Sequence, residues 1–251
     1  LAPLSDALDE KSRKTLDGMY CAEVARQDEL VGTFFKKLRA SGRLDETLVI
    51  VAADHGEHLG EKQFVGHSLS LYNELVHVPL IIRDPRGNLP RGVVDSFVST
   101  RRIFHTLVEA AGVASSEESA FTLAQSPAND PDNGVVFSEA VPASNVLSLL
   151  RRRAPHLIKE HGCDLVRRAV FSGTHKLIKT GESQLELFDV FADPDEETNL
   201  RDLLPERVEV LEETLNAFVS HTEAPAQASA AASDYEDPQV RRRLRDLGYL
   251  E

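Results

Sequence analysis

Residues 47–82 read TLVIVAADHGEHLGEKQFVGHSLSLYNELVHVPLII, and this stretch decides the fold of the chain. Its first part, residues 47–53, is mostly apolar and β-branched, which is typical of a strand buried in a parallel sheet. The run stops at the sequence DHGE, which begins at Asp54. In open α/β sheets, functional groups lie just beyond the carboxyl ends of the strands. We therefore expect an α/β domain that carries a site at Asp54.

The residues at this strand end suggest a cation site. Asp54 offers a hard oxygen ligand and His55 a nitrogen ligand, and Gly56 allows the sharp turn that brings neighbouring side chains together. An isolated Asp-His pair usually lies on the surface without a function, but its place after a predicted buried strand favours a role as cation ligands. Such a pair suits a divalent cation, and a phosphate or sulfate ester held by that cation.

Composition excludes several other classes of function. The chain has 251 residues and a formal net charge of -13, and nucleic-acid or anionic-membrane binding needs clustered Lys and Arg instead. No apolar stretch approaches the roughly 20 residues that a membrane span requires. The two cysteines, Cys21 and Cys163, lie far apart and form no C-x-x-C motif, so neither a disulfide framework nor a zinc site is predicted.

The first region, residues 1–115, is predicted to hold parallel strands and helices. We expect parallel strands within residues 44–98, as part of a sheet with too few strands to stand alone. The predicted elements are an amphipathic helix at 18–40, strands at 47–53, 78–82 and 92–98, and helices at 69–76 and 101–111.

The second region, residues 134–251, follows a Ser-, Glu-, Pro- and Asn-rich stretch at 116–133 that is typical of a linker. Residues 168–191 alternate as a hairpin, and Pro205 begins a helix that we expect to pack on the resulting antiparallel sheet. Two further predictions are a flexible segment at 222–234 and a last helix capped by Asp237.

The motifs of the first region are similar to those of the sulfatase family, within the alkaline-phosphatase-like superfamily. The resemblance rests on the strand followed by DHGE, on GHS from Gly66 and on SLYNE and VPLII after it. It continues through FSGTHKLI, which begins at Phe171, and through ELFDV, which begins at Glu186 and is followed by DP, a further Glu and NL. It ends with LRDLGYL, which begins at Leu244. The resemblance implies an alkaline-phosphatase-like mixed sheet followed by a small C-terminal α+β subdomain with an antiparallel sheet.

The same resemblance implies roles for individual residues. Asp54 would be a metal ligand, and His55 either a second ligand or a donor to the sulfate oxygen. His67 occupies a position where relatives place a Lys that contacts the sulfate or the leaving oxygen, and a histidine there could transfer a proton. Alternatively, His67 is a loop histidine without a role in the site, whose ring forms its hydrogen bonds with water. Lys62 could bind substrate or be a solvated lysine, and Glu57 could simply orient the loop.

The implied cofactor is a divalent cation, calcium in a sulfatase and manganese or zinc in a relative that cleaves phosphoesters. Family members also carry a Cys or Ser in a C/S-x-P/A-x-R setting, which is oxidised to formylglycine, and a pair of Asp ligands after the first strand. Neither feature is found here, because Cys21 and Cys163 lack that setting. The chain begins at Leu1, so we expect the C-terminal portion of a longer protein whose N-terminal half supplies these groups.

Three hypotheses follow. The first is a sulfuric ester hydrolase that cleaves a sulfated small molecule or glycan in the full-length protein, with this chain inactive alone. The second is a phosphodiesterase or phosphonate monoester hydrolase of the same superfamily. The third is a truncated, non-catalytic homologue that serves as a binding or assembly module. No compartment is predicted.

Overall fold

The structure is a computed structural model that describes residues 2–3, 6–125, 129–229 and 242. The helices are α1 (Glu10–Ala40), α2 (Asn73–Val76), α3 (Arg101–Ala110), α4 (Ser116–Ser119), α5 (Ser144–Arg153), α6 (Pro155–Glu160) and α7 (Pro205–Ser229). The strands are β1 (Ala2–Pro3), β2 (Val49–Ala52), β3 (His58–Leu59), β4 (Phe64–Gly66), β5 (Leu80–Arg83), β6 (Val136–Ala140), β7 (Arg167–Ser172), β8 (His175–Thr180) and β9 (Gln184–Asp189).

The strand that precedes DHGE pairs with β5 in an antiparallel sense. Val49 lies opposite Arg83, and Ala52 lies opposite Leu80. The prediction of parallel strands within residues 44–98 is therefore wrong for this pair. The predicted burial of this strand is also wrong for this chain, because Val49–Val51 are only half-buried and Ala52 is exposed. An apolar run does not determine the direction of pairing, which depends on the path of the connecting chain.

The strand predicted at 92–98 is also wrong. These residues form bends and irregular backbone, and Val93 and Val94 are exposed. A β-branched segment becomes a strand only when a neighbouring strand accepts its hydrogen bonds. Among the described residues none does so here.

The C-terminal region contains the predicted antiparallel sheet. Strands β6, β7, β8 and β9 are neighbours in chain order, and β8 and β9 join through the turn that follows Thr180. Helix α7 packs its buried Val208, Leu211 and Leu215 on one face of this sheet, against Val170, Leu177 and Leu187 of its three last strands. Both the sheet and the helix that begins at Pro205 are confirmed.

Residues 222–229 of the predicted flexible segment at 222–234 are helical, as part of α7, and residues 230–234 lie outside the described residues. The helix expected after Asp237 lies outside the described residues. Within the predicted linker, α4 begins with a capping box at Ser115, and the buried Arg102 of α3 contacts Asp130 and Asp132. The region boundaries at residues 115 and 134 remain predictions.

The other face of the C-terminal sheet contacts the segment that leads away from DHGE. Leu71, just before α2, is buried with Ala169, Phe171 and Ile178 of the sheet. The sheet thus supports the segment that carries the predicted site. Among the described residues, no helix combines the length and apolar character needed to cross a membrane.

Candidate active site

The DHGE loop turns sharply at a glycine that the fold requires. The Gly56 N–H donates to the Leu75 carbonyl at 2.9 Å. A Cβ atom placed on Gly56 would lie only 1.9 Å from the Glu74 carbonyl oxygen, far inside any allowed contact. The loop therefore packs directly against the backbone of α2, and only glycine fits.

Asp54 and His55 present two ligand atoms on the same side of this turn. The His55 N–H donates to Asp54 Oδ1 at 3.0 Å, while Asp54 Oδ2 lies 3.7 Å from His55 Nε2. His55 Nδ1 is 2.9 Å from the Gly56 carbonyl, which can only accept, so Nδ1 carries the proton and Nε2 keeps its lone pair.

This arrangement fits a cation. Two ligand atoms that each bind at about 2.0–2.6 Å can lie up to roughly 4–5 Å apart on one ion. The 3.7 Å between Asp54 Oδ2 and His55 Nε2 falls within that span. The Asp54 carboxylate is 78% exposed, so it remains free to coordinate.

His67 lies beside this pair and is oriented by Glu57. Its Nδ1 donates to Glu57 Oε2 at 2.9 Å, and its ring stacks on that of His55 with centroids 4.4 Å apart. The ligand atoms of His55, Glu57 and His67 lie within 4.8 Å of one another. A carboxylate on one ring nitrogen fixes the imidazole and leaves Nε2 available for chemistry.

Sequence reasoning had not singled out the Glu57–His67 contact. Glu57 directly precedes β3 and His67 directly follows β4, so the antiparallel pairing of these two short strands brings the two residues together. The signal available in the sequence was the presence of Glu57 near His67, because a neighbouring carboxylate commonly orients an acid–base histidine.

Lys62 faces a different neighbourhood. Its Nζ donates to the Glu196 carbonyl at 2.6 Å and lies 5.6 Å from the centre of the Tyr72 ring. It lines a polar cavity of about 180 Å³ together with Arg167 and Glu186. The structure thus joins Asp54, His55 and His67 but directs Lys62 toward the C-terminal region.

His58 lies beneath the loop and is part of the packing. It is buried, and its Nε2 is 2.7 Å from the Ser70 hydroxyl. Burial lowers the pKa of His58 to about 4, so it is neutral near neutral pH. Of the two cysteines, Cys163 is buried in the core and Cys21 lies exposed on α1.

Solved structures identify the class of fold. The chain matches a 2-O GAG sulfatase with a TM-score of 0.61 and 21% identity, covering 82% of this chain and 43% of that one. It matches the phosphonate monoester hydrolase of Agrobacterium radiobacter with a TM-score of 0.59 and 24% identity, covering 79% and 40%. At such identities the likeness concerns the fold, which is the alkaline-phosphatase-like α/β fold.

Sequence comparison identifies the family. Residues 5–113 match the family model described as Sulfatase. Arylsulfatase K of Bos taurus is 29% identical over 249 residues, which cover 95% of this chain and 42% of that protein. The chain is therefore similar to the sulfatase family that the motifs predicted, through residues 5–113 in the family model and over most of its length in arylsulfatase K. It spans about two fifths of the length of the arylsulfatase K relatives that it matches.

Proposed function

We propose that this chain carries the cation-binding and leaving-group side of a sulfuric ester hydrolase. The observation that supports this is the packing of His55, Glu57 and His67 beside Asp54, directly after strand β2. In the full-length protein the substrate would be a sulfate ester of a small molecule or a glycan. Similarity to the sulfatase family supports the reaction class, since arylsulfatase K is named for it.

Asp54 and His55 would hold the divalent cation, which we propose to be calcium. Bound there, the cation would neutralise charge on the ester oxygens. Asp54 supplies only part of the six to eight oxygen ligands that calcium takes, and His55 would add a nitrogen ligand. The remaining oxygens would come from water and from the N-terminal half of the protein.

When protonated on both ring nitrogens, His67 would give its Nε2 proton to the leaving oxygen and keep its Nδ1 proton. Its Nδ1 is held by Glu57, so its Nε2 is the atom that would face the substrate. Lys62 is proposed as a second substrate contact, through the polar cavity that it lines. It would act farther from the ester, because its ammonium group already donates to Glu196.

The N-terminal half is the proposed partner of the apolar surfaces that remain open. Helix α1 has no buried residue among those described, and Val24, Leu30 and Phe34 are exposed on it. Within the described part of the chain, strands β2 and β5 form a two-stranded sheet, which is marginal without further strands or helices. Additional strands from the rest of the protein would cover both surfaces.

A second candidate is a phosphonate monoester hydrolase or phosphodiesterase. Two imidazoles and a carboxylate within 4.8 Å also suit borderline metals such as manganese or zinc. The structural likeness to the Agrobacterium radiobacter enzyme supports the same alternative.

A substrate panel on the full-length protein tests these candidates. We expect aryl and glycan sulfates to be hydrolysed faster than phosphonate monoesters and phosphodiesters, with activity removed by a chelator. The reverse ranking would favour the second candidate. Absence of turnover on every ester would favour a non-catalytic binding or assembly module. The 251-residue chain alone should show no turnover, because the nucleophile is proposed to lie in the other half.

A further inference from the structure

We infer that Glu196, paired with the buried Lys176, is a positioning residue that holds the DHGE loop in place from the C-terminal region. This inference gives a role to a buried ion pair that the proposed chemistry does not use. Its catalytic meaning rests on the proposed function, but the contacts that carry it do not.

The ion pair is enclosed by protein. Lys176 Nζ lies 2.8 Å from Glu196 Oε1, and neither side chain has exposed surface. The ammonium also lies 3.3 Å from Asn73 Oδ1 and 5.1 Å from the centre of the Phe171 ring. Burial lowers the pKa of Lys176, and Glu196 opposes that shift. A buried pair of this kind gains little over well-packed apolar residues, so structural specificity is the better reason for it.

The backbone around Glu196 is shaped to direct its side chain. Glu196 has a φ of 52°, which is uncommon for a residue with a Cβ atom. The preceding Asp193 supports this conformation: its carboxylate accepts the N–H groups of Glu197 at 3.2 Å and Thr198 at 2.8 Å. A strained conformation persists only where surrounding contacts determine it, and it is often associated with function.

Glu196 then fixes the beginning of α2. Its Oε2 accepts the N–H of Asn73, the first residue of that helix, at 2.6 Å. Tyr72, at the N-cap position, makes no side-chain capping bond, so Glu196 takes over that task. The Asn73 side chain adds a bond to the Pro194 carbonyl at 2.9 Å.

Helix α2 in turn fixes the candidate site. The Leu75 carbonyl accepts the Gly56 N–H, and the Glu74 carbonyl contacts Gly56 where a side chain would otherwise stand. Gly56 lies between His55 and Glu57, so a shift of α2 moves both. A continuous series of contacts thus runs from Lys176 through Glu196 and α2 to the loop.

Two double variants of the full-length protein test the inference, with amide hydrogen exchange and histidine imidazole NMR as readouts. Lys176→Met with Glu196→Gln removes both charges but keeps an oxygen that can accept from Asn73. Lys176→Met with Glu196→Leu removes the acceptor as well. We expect the Leu variant to speed exchange at the Gly56 N–H by about tenfold or more and to shift the His55 and His67 ring signals. The Gln variant should stay close to the parent.

A second pair of variants leaves the ion pair intact. Asn73→Pro deletes the backbone N–H that donates to Glu196. Proline is tolerated there because Asn73 is the first residue of the helix. Asn73→Ala is the control, because it keeps this N–H. Faster exchange at Gly56 in the Pro variant than in the Ala variant is expected, with amides of β8 unchanged in both. Equal exchange at Gly56 in both pairs would overturn the inference. None of these readouts uses turnover, so a failure of sulfate ester hydrolysis would leave the result intact.

Discussion

We propose that His67 and its neighbours divide cation binding and proton transfer between two pairs of side chains. Asp54 Oδ2 lies near His55 Nε2, whereas the Nδ1–H of His67 donates a hydrogen bond to Glu57. We propose the first pair as cation ligands and the second as an imidazole held in place by a carboxylate. These roles can be separated by substitution, because the two pairs do not share a hydrogen bond.

Replacing His67 by Ala should lower turnover of the full-length protein while leaving its metal content unchanged. Acid–base assistance of this kind is typically worth about 10²–10⁴-fold in rate. Steady-state assays with aryl sulfates, together with metal analysis, measure both quantities. His77→Ala is the matched control, since His77 is an exposed histidine outside the cluster. Full activity in the His67 variant would remove this residue from the site.

Gly56→Ala should destabilise the 251-residue chain by about 2 kcal/mol or more, because the new methyl group would meet the Glu74 carbonyl at 1.9 Å. The control is Gly18→Ala on α1, where no atom lies within 4 Å of the new methyl group. That change should stabilise the chain by roughly 0.5–1 kcal/mol, since alanine favours a helix. Urea unfolding compares the two, and equal effects would show that the loop does not pack on α2.

At the scale of elements, local patterns predicted the C-terminal sheet well. Successive residues of the strands within 168–191 face opposite sides of the sheet, which sets the side chains that meet α7, and Pro205 marks where that helix begins. The direction of the β2–β5 pair could not be predicted, because it depends on the path of residues 53–79. The Glu196 contact with Asn73 was equally hidden, since it joins residues 123 positions apart.

The ion pair between Arg102 of α3 and Asp130, after α4, leads to a prediction about the stability of the fold in acid. Burial raises the pKa of Asp130, but the N–H groups of Asp132 and Gly134 and the guanidinium of Arg102 outweigh it, so the pKa lies below its usual 3.8. A carboxyl group whose pKa is lower in the folded than in the unfolded state stabilises the fold at pH above its unfolded-state pKa. That contribution is lost as the pH falls through its folded-state pKa. Asp130→Asn should therefore cost stability at pH 6, and the deficit should shrink below pH 3.8. Urea unfolding across pH measures this, and a constant deficit would contradict it.

At the scale of the whole molecule, the candidate site and the C-terminal sheet form one packed unit. Leu71 joins the core of the sheet, and Asn73 contacts Glu196 beyond its last strand. The sequence motifs predicted that Asp54, His55 and His67 would share a loop region, but their geometry depends on this distant support. The exposed apolar face of α1 is the side on which we propose that the N-terminal half packs.

The most direct test of the account is the metal content and sulfate ester turnover of the full-length protein, compared between the parent and Asp54→Ala. Asp54 offers the exposed carboxylate that is proposed to hold the cation, so its loss should remove bound metal and turnover together. Asp45→Ala, at an exposed aspartate before β2, should change neither. An Asp54 variant that keeps both its metal and its turnover would contradict the central claim.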